Sequence, residues 1–326
     1  MRSFTVYSIF KLYFYTTMPA SCTLVFIPLV YLLFTSGSCN QRNVSRLVPD
    51  PAEFNIQLPF KTDRKGILIA TQWGAAKTVV NLYLDNHSPT WASNNIITSN
   101  KSIKKSNDFL FRTTTADGKT IAGDVYICDS IGLGGVAFRQ VPIYNISNET
   151  NAHAADGAIG ENIMTEGIWK IDFLHRVISF ASTADSIEGL KEAEQLPASF
   201  TSSGIEITVD CSNHIQKQFE LDLGYNGSFI LPAKEFAAIA AGNKKMYIDS
   251  MRFATPASAV NTETTSVIDS IRIGHHSFTV SLCTNPLVKE RLVGLRFFRQ
   301  FEFIIIDYPG KKCYISRQQN KLPEMK

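Results

Sequence analysis

Apolar and polar residues alternate with a period of two along most of the chain after about residue 60, and β-branched residues dominate these stretches. Residues 66–70 and 77–84 read as strands joined by a turn around Trp73-Gly74. Residues 120–128, 136–144, 168–173 and 176–181 continue the pattern. A second set follows at 204–210, 218–221, 265–273, 277–283, 301–307 and 312–316. Helical signal is thin. Residues 232–241 form one candidate, with Pro232 near the first turn and Gly242 just past the end. Residues 182–195, rich in Ala, Glu and Leu, suggest another short helix that links two halves. The expected class is all-β.

The second set of strands repeats the first. Leu82-Tyr83-Leu84-Asp85 corresponds to Phe219-Glu220-Leu221-Asp222. Asp129-Ser130-Ile131, with Phe138 behind it, corresponds to Asp269-Ser270-Ile271, with Phe278 behind it. Ala158-Ile159-Gly160 corresponds to Leu292-Val293-Gly294, and Asp172 to Asp307. These landmarks keep one order at an offset of roughly 135 residues, as one supersecondary unit used twice would. A two-fold pair of such units brings Asp85 and Asp222 to one interface.

The first forty residues do not belong to this pattern. Residues 23–34 are almost wholly apolar, with Arg2 and Lys11 the only charged side chains upstream, and Ser36-Gly37-Ser38-Cys39 follows. This reads as an export signal, too short for a membrane span. It resembles a bacterial lipoprotein signal with Cys39 as the lipid-bearing residue, although Ser36 stands where that family usually has an apolar side chain. A plain cleaved signal peptide or an uncleaved anchor is the alternative. The expected organisation is a signal at 1–39, a tether at 40–59, a first lobe at 60–181, a linker at 182–200 and a second lobe at 201–326. Each lobe, at about 130 residues, suffices to bury a core.

Composition narrows the function. The net charge is +3 with no long basic run, so no nucleic-acid footprint is present. The cysteines after Cys39 are widely spaced, with no CxxC pair, so neither a metal site nor a redox motif is expected. A disulfide among Cys211, Cys283 and Cys313 and buried free thiols are both open. His275-His276 falls in an expected hairpin turn and reads as surface.

With its duplicated strand–Asp and apolar-apolar-Gly motifs, the chain resembles the aspartic peptidases of the pepsin and retropepsin type over roughly residues 60–315. The resemblance implies two homologous β-barrel-like lobes with a cleft between them, and Asp85 and Asp222 as the catalytic acids. Ile159-Gly160 and Val293-Gly294 match the strands that thread beside the catalytic loops. Residues 118–135 look like the flap hairpin and the strand after it, and Phe111 is its candidate aromatic wall. The implied chemistry shares one proton between two carboxylates, one of which activates water while the other protonates the scissile carbonyl. No cofactor or metal is required. The implied partner is an extended peptide or unfolded protein segment, held by a monomer of the cell envelope or by a secreted protein, with a lipid anchor as the sole link to membrane.

Three positions depart from the family pattern. A hydroxyl residue normally follows each Asp and reaches across to lock the two loops together, whereas this chain has Asn86 and Leu223. Glycine normally comes next; Gly224 keeps it and His87 does not. A β-carbon at His87 is expected to push its loop outward or crowd the acids, and its charge to disturb proton sharing. Beside hydrolysis stands the other reading: a pepsin-shaped envelope protein that binds a peptide or other ligand without cutting it.

Overall fold

The computed structural model describes residues 47–316, apart from residues 64–65, 115–117, 146–154, 213–214, 242–245, 250–251, 256–257 and 262–263. Cys39 and the whole expected signal lie outside the described residues. Among the described residues no helix is long and apolar enough to cross a membrane.

Strand alternation becomes burial. Ile67–Trp73 turns Ile67, Ile69, Thr71 and Trp73 inward, and Ile205–Cys211 does the same with Ile205, Ile207, Val209 and Cys211. Each belongs to a large sheet. In the second half, His276–Thr284, Phe229–Ile230, Leu292–Gly294, Ile215–Asp222, Ile205–Cys211 and Thr264–Ile273 are successive neighbours. Thr264–Ile273 pairs back on His276–Thr284, which closes a six-stranded β-barrel. The first half runs through Val136–Asn145, Trp91–Ala92, Gly157–Ile159, Thr78–Leu84, Ile67–Trp73 and Thr120–Leu133, the last bonded back to Val136–Asn145. The expected landmarks hold their register: Ile131 faces Phe138 in one hairpin, and Ile271 faces Phe278 in the other.

A third, six-stranded antiparallel sheet ties the halves together. Its central pair is Ile168–Asp172 against Phe303–Asp307, in which Ile168 faces Asp307 and Asp172 faces Phe303. Nearly every residue of both strands is buried, Lys170 and Asp307 included, because the sheet is covered on two faces. Trp169 stacks on Phe180 with ring centroids 4.1 Å apart, and Phe54 packs on the same ring. Phe54 adjoins Asn55–Pro59, which pairs with Val177–Ala181, so part of the expected tether is an edge strand of this sheet.

The helical expectations divide. Ala233–Ala240 is a helix, with Pro232 at its N-cap. The linker is not: residues 182–195 contain only the 3-10 turn Ala184–Ser186 and the short strand Glu194–Gln195. Gly189, at φ +80°, breaks the run, and Ile187 and Leu190 pack against Ile168 and Ile305 instead of forming a helix face. The four described cysteines Cys128, Cys211, Cys283 and Cys313 are buried free thiols, so the disulfide alternative is set aside.

One ionic cluster anchors the loop that precedes Leu292–Gly294. Arg291 donates through Nε and Nη2 to both oxygens of Glu235, and Lys217 lies 3.0 Å from the same carboxylate. These hydrogen bonds, led by Arg291, hold the Glu235 carboxyl down to about 2. A depressed folded-state value stabilises the protein above the ordinary glutamate range, and that stability is lost as pH falls toward 2. Glu235→Gln is therefore expected to cost about 1 kcal/mol at pH 7, because solvent screens a partly exposed pair, with the difference fading below pH 4. Urea midpoints of the two proteins across that range check it.

Candidate functional site

Asp85 and Asp222 each end a strand and enter a turn. Thr78–Leu84 pairs in parallel with Gly157–Ile159, and Ile215–Asp222 with Leu292–Gly294. Asp222 faces Gly294 in that register, and the Asp85 N–H donates to the Ile159 carbonyl at 3.0 Å. The chain then threads the same way on both sides. The Glu161 N–H donates to the Ser88 carbonyl at 2.8 Å, and the Leu295 N–H to the Tyr225 carbonyl at 2.9 Å. Gly160 and Gly294 have ordinary extended φ of −108° and −118°, so close approach is what requires glycine. A β-carbon would lie 2.1 Å from the Ser88 carbonyl oxygen in one case and 2.1 Å from that of Tyr225 in the other.

The two turns hold their acids alike. Asp85 Oδ1 accepts from the His87 N–H at 3.1 Å, and Asp222 Oδ1 accepts from the N–H groups of Gly224 and Tyr225 at 2.7 and 3.0 Å. The His87 N–H thus makes the same bond to Asp85 that the Gly224 N–H makes to Asp222. Gly224 lies against the opposite acid: a β-carbon there would sit 2.6 Å from Asp85 Cγ. Burial raises the pKa of both carboxyls. For Asp222 the nearby charge of Asp85 adds to burial and takes it up to about 7, while the His87 charge opposes the rise at both.

Asn86 keeps one half of the cross-loop lock, while the Leu223 side chain supplies none of the other half. The buried Asn86 amide bridges the loops alone, Nδ2 donating to the Leu221 carbonyl and Oδ1 accepting from the Leu223 N–H, both at 2.8 Å. One carboxamide supplies donor and acceptor together, so Leu223 needs no polar side chain and is wholly buried in the core.

The His87 ring turns toward acids that sequence reasoning missed. Nδ1 lies 3.1 Å from Glu220 Oε1, and Nε2 lies 3.8 Å from Glu290 Oε2. Burial alone would lower its pKa, but the two glutamates outweigh burial and push it up to about 11. Glu161 is also close by: burial raises its carboxyl and the charge of Glu220 raises it further. One signal was available for Glu220. It precedes Asp222 by two residues in a strand, and period two puts both on one face. Nothing local marked Glu290, which lies in the loop before Leu292–Gly294.

The hairpin expected to act as a flap runs through Ile103–Thr114 and Thr120–Leu133. Phe111 lies in its first strand and packs its ring on Tyr144, with centroids 4.3 Å apart. At the tip, a β-carbon on Gly118 would come within 3.3 Å of Lys289 Cγ, so the hairpin reaches the loop that carries Glu290.

No protein-family model matches the sequence, and no curated protein does. Among solved structures, the crystal structure of an aspartic proteinase from Irpex lacteus is similar, with a TM-score of 0.56 and 14% sequence identity. The match covers 82% of this chain and 98% of that one. The chain therefore has a distant likeness in fold to a pepsin-like protease. At that identity the likeness concerns fold alone.

Proposed function

We propose that this chain is a pepsin-shaped binding protein: two related lobes that hold an extended peptide segment in the cleft between them without hydrolysing it. The observation that carries this reading is the His87 cluster beside the acids. Water activation by paired acids needs one shared proton and a neutral donor. The imidazole beside Asp85 pulls both carboxyls toward the charged form, against the burial that raises them, and so works against the shared proton. The hairpin tip near Lys289 supports a cover over bound ligand, and the repeated strand neighbours support the two-lobed reading. The apolar leader and Cys39 support export to the cell envelope with a lipid tether.

Immobilised full chain is expected to retain intact peptides from a diverse library at pH 7, saturably and above a heat-unfolded control. Retention no better than that control contradicts the reading. Hydrolysis stands as the second reading on one observation: Asn86 holds the two loops together while the pKa of each acid is raised, Asp222 partly by the charge of Asp85.

A further inference from the structure

The cluster of His87, Glu220 and Glu290 has the donors of a metal centre. One ligand atom from each residue lies within 4.8 Å of the other two. The three come from separate segments: the turn after Asp85, the strand Ile215–Asp222 and the loop before Leu292–Gly294. That loop and that strand are tied directly, because the Glu220 N–H donates to the Arg291 carbonyl at 2.8 Å. Arg291 is itself held by Glu235. The backbone therefore places both glutamates before any ligand arrives.

Two further observations point to a cation. Glu220 Oε1 and Glu290 Oε2 are closed to solvent, and neither has a hydrogen-bond partner among the described residues. Their contacts with His87 are ion pairs at 3.1 and 3.8 Å, the second beyond hydrogen-bond reach, so their lone pairs are only partly used. The surroundings are also strongly acidic. Asp85 stands two residues before His87 and Asp222 two residues after Glu220 on the same strand.

We infer that His87, Glu220 and Glu290 bind one divalent first-row transition ion, with Zn2+ the natural occupant. One imidazole nitrogen and two carboxylates suit Zn2+, Co2+ or Mn2+ better than Mg2+ or Ca2+, which favour all-oxygen shells. On binding, the ion takes the ring-nitrogen lone pair that a proton holds, and that proton leaves to solvent. The site uses the same His87 cluster on which the binding reading rests, but neither peptide capture nor hydrolysis is needed to detect the metal.

Titration of the metal-free full chain with Zn2+ at pH 7.5, followed calorimetrically, tests it. The expected result is one saturable site with proton release, seen as a heat that changes with the ionisation enthalpy of the buffer. His87→Ala and Glu220→Gln are each expected to weaken binding at least tenfold, and Mg2+ to compete poorly. Glu290→Gln is a second carboxylate variant, and circular dichroism verifies folding of all three. Substituted Co2+ is expected to give visible d–d bands in wild type that His87→Ala loses. No saturable binding in wild type, or binding unchanged in folded His87→Ala and Glu220→Gln, overturns the inference and assigns the cluster to an ion pair, with any residual Zn2+ at surface histidines.

Discussion

Gly294→Ala is expected to lower stability by more than about 3 kcal/mol, the upper end of what overpacking costs. The new methyl carbon would lie 2.1 Å from the Tyr225 carbonyl oxygen, 2.6 Å from Tyr225 Cδ1 and 2.7 Å from the Gly227 carbonyl oxygen. Two of these three are backbone atoms, which cannot turn aside as a side-chain end can. Relief requires the turn after Asp222 to separate from the threading strand, breaking the Gly294 N–H bond to the Ser228 carbonyl and the Leu295 N–H bond to Tyr225. The backbone conformation itself is innocent, since φ of −118° suits alanine. Gly132→Ala is the matched control. Its nearest neighbour would be at 3.4 Å, an ordinary contact, and its expected loss is below about 1 kcal/mol. Urea midpoints of the two variants give the comparison, and equal midpoints would remove the case for close threading.

Asn86→Ala is expected to cost about 3 kcal/mol, because it deletes two buried hydrogen bonds that cross between loops far apart in sequence. Truncation takes the side-chain acceptor from the Leu223 N–H and the donor from the Leu221 carbonyl, in a place where water is largely excluded. Asn86→Asp separates the halves of the bridge: the acceptor for Leu223 remains, while a carboxylate oxygen replaces the donor and faces the Leu221 carbonyl. It is expected to be destabilising as well, and more so at pH 7 than in acid. Asn86→Thr, with one hydroxyl that both donates and accepts, is expected to lose least of the three. A ranking with Thr as damaging as Ala would show that the bridge is not what holds these loops.

How much of this was legible beforehand depends on the range of the interaction. Period-two burial gave most strands, and the repeated Asp85/Asp222 and Gly160/Gly294 landmarks gave the parallel pairings next to the site. Those signals survive in sequence because each is a local pattern repeated at a fixed offset. The bridging role of Asn86 was not foreseen because it depends on two backbone groups some 135 residues away, which no local pattern marks. Residues 182–195 were misread because composition favoured a helix, while tertiary contacts of Ile187 and Leu190 and the positive φ of Gly189 decided otherwise. Glu290 became part of the site only when Arg291, held by Glu235, fixed its loop.

The most direct measurement exposes a diverse peptide library to the full chain from pH 3 to 7 and identifies products by mass spectrometry, with Asp85→Asn and Asp222→Asn alongside. The account predicts that wild type and both variants leave every peptide intact across that range, while wild type retains a bound subset at pH 7. Cleavage by wild type that disappears in both variants would contradict it, and would make the chain an aspartic peptidase that tolerates His87 and Leu223.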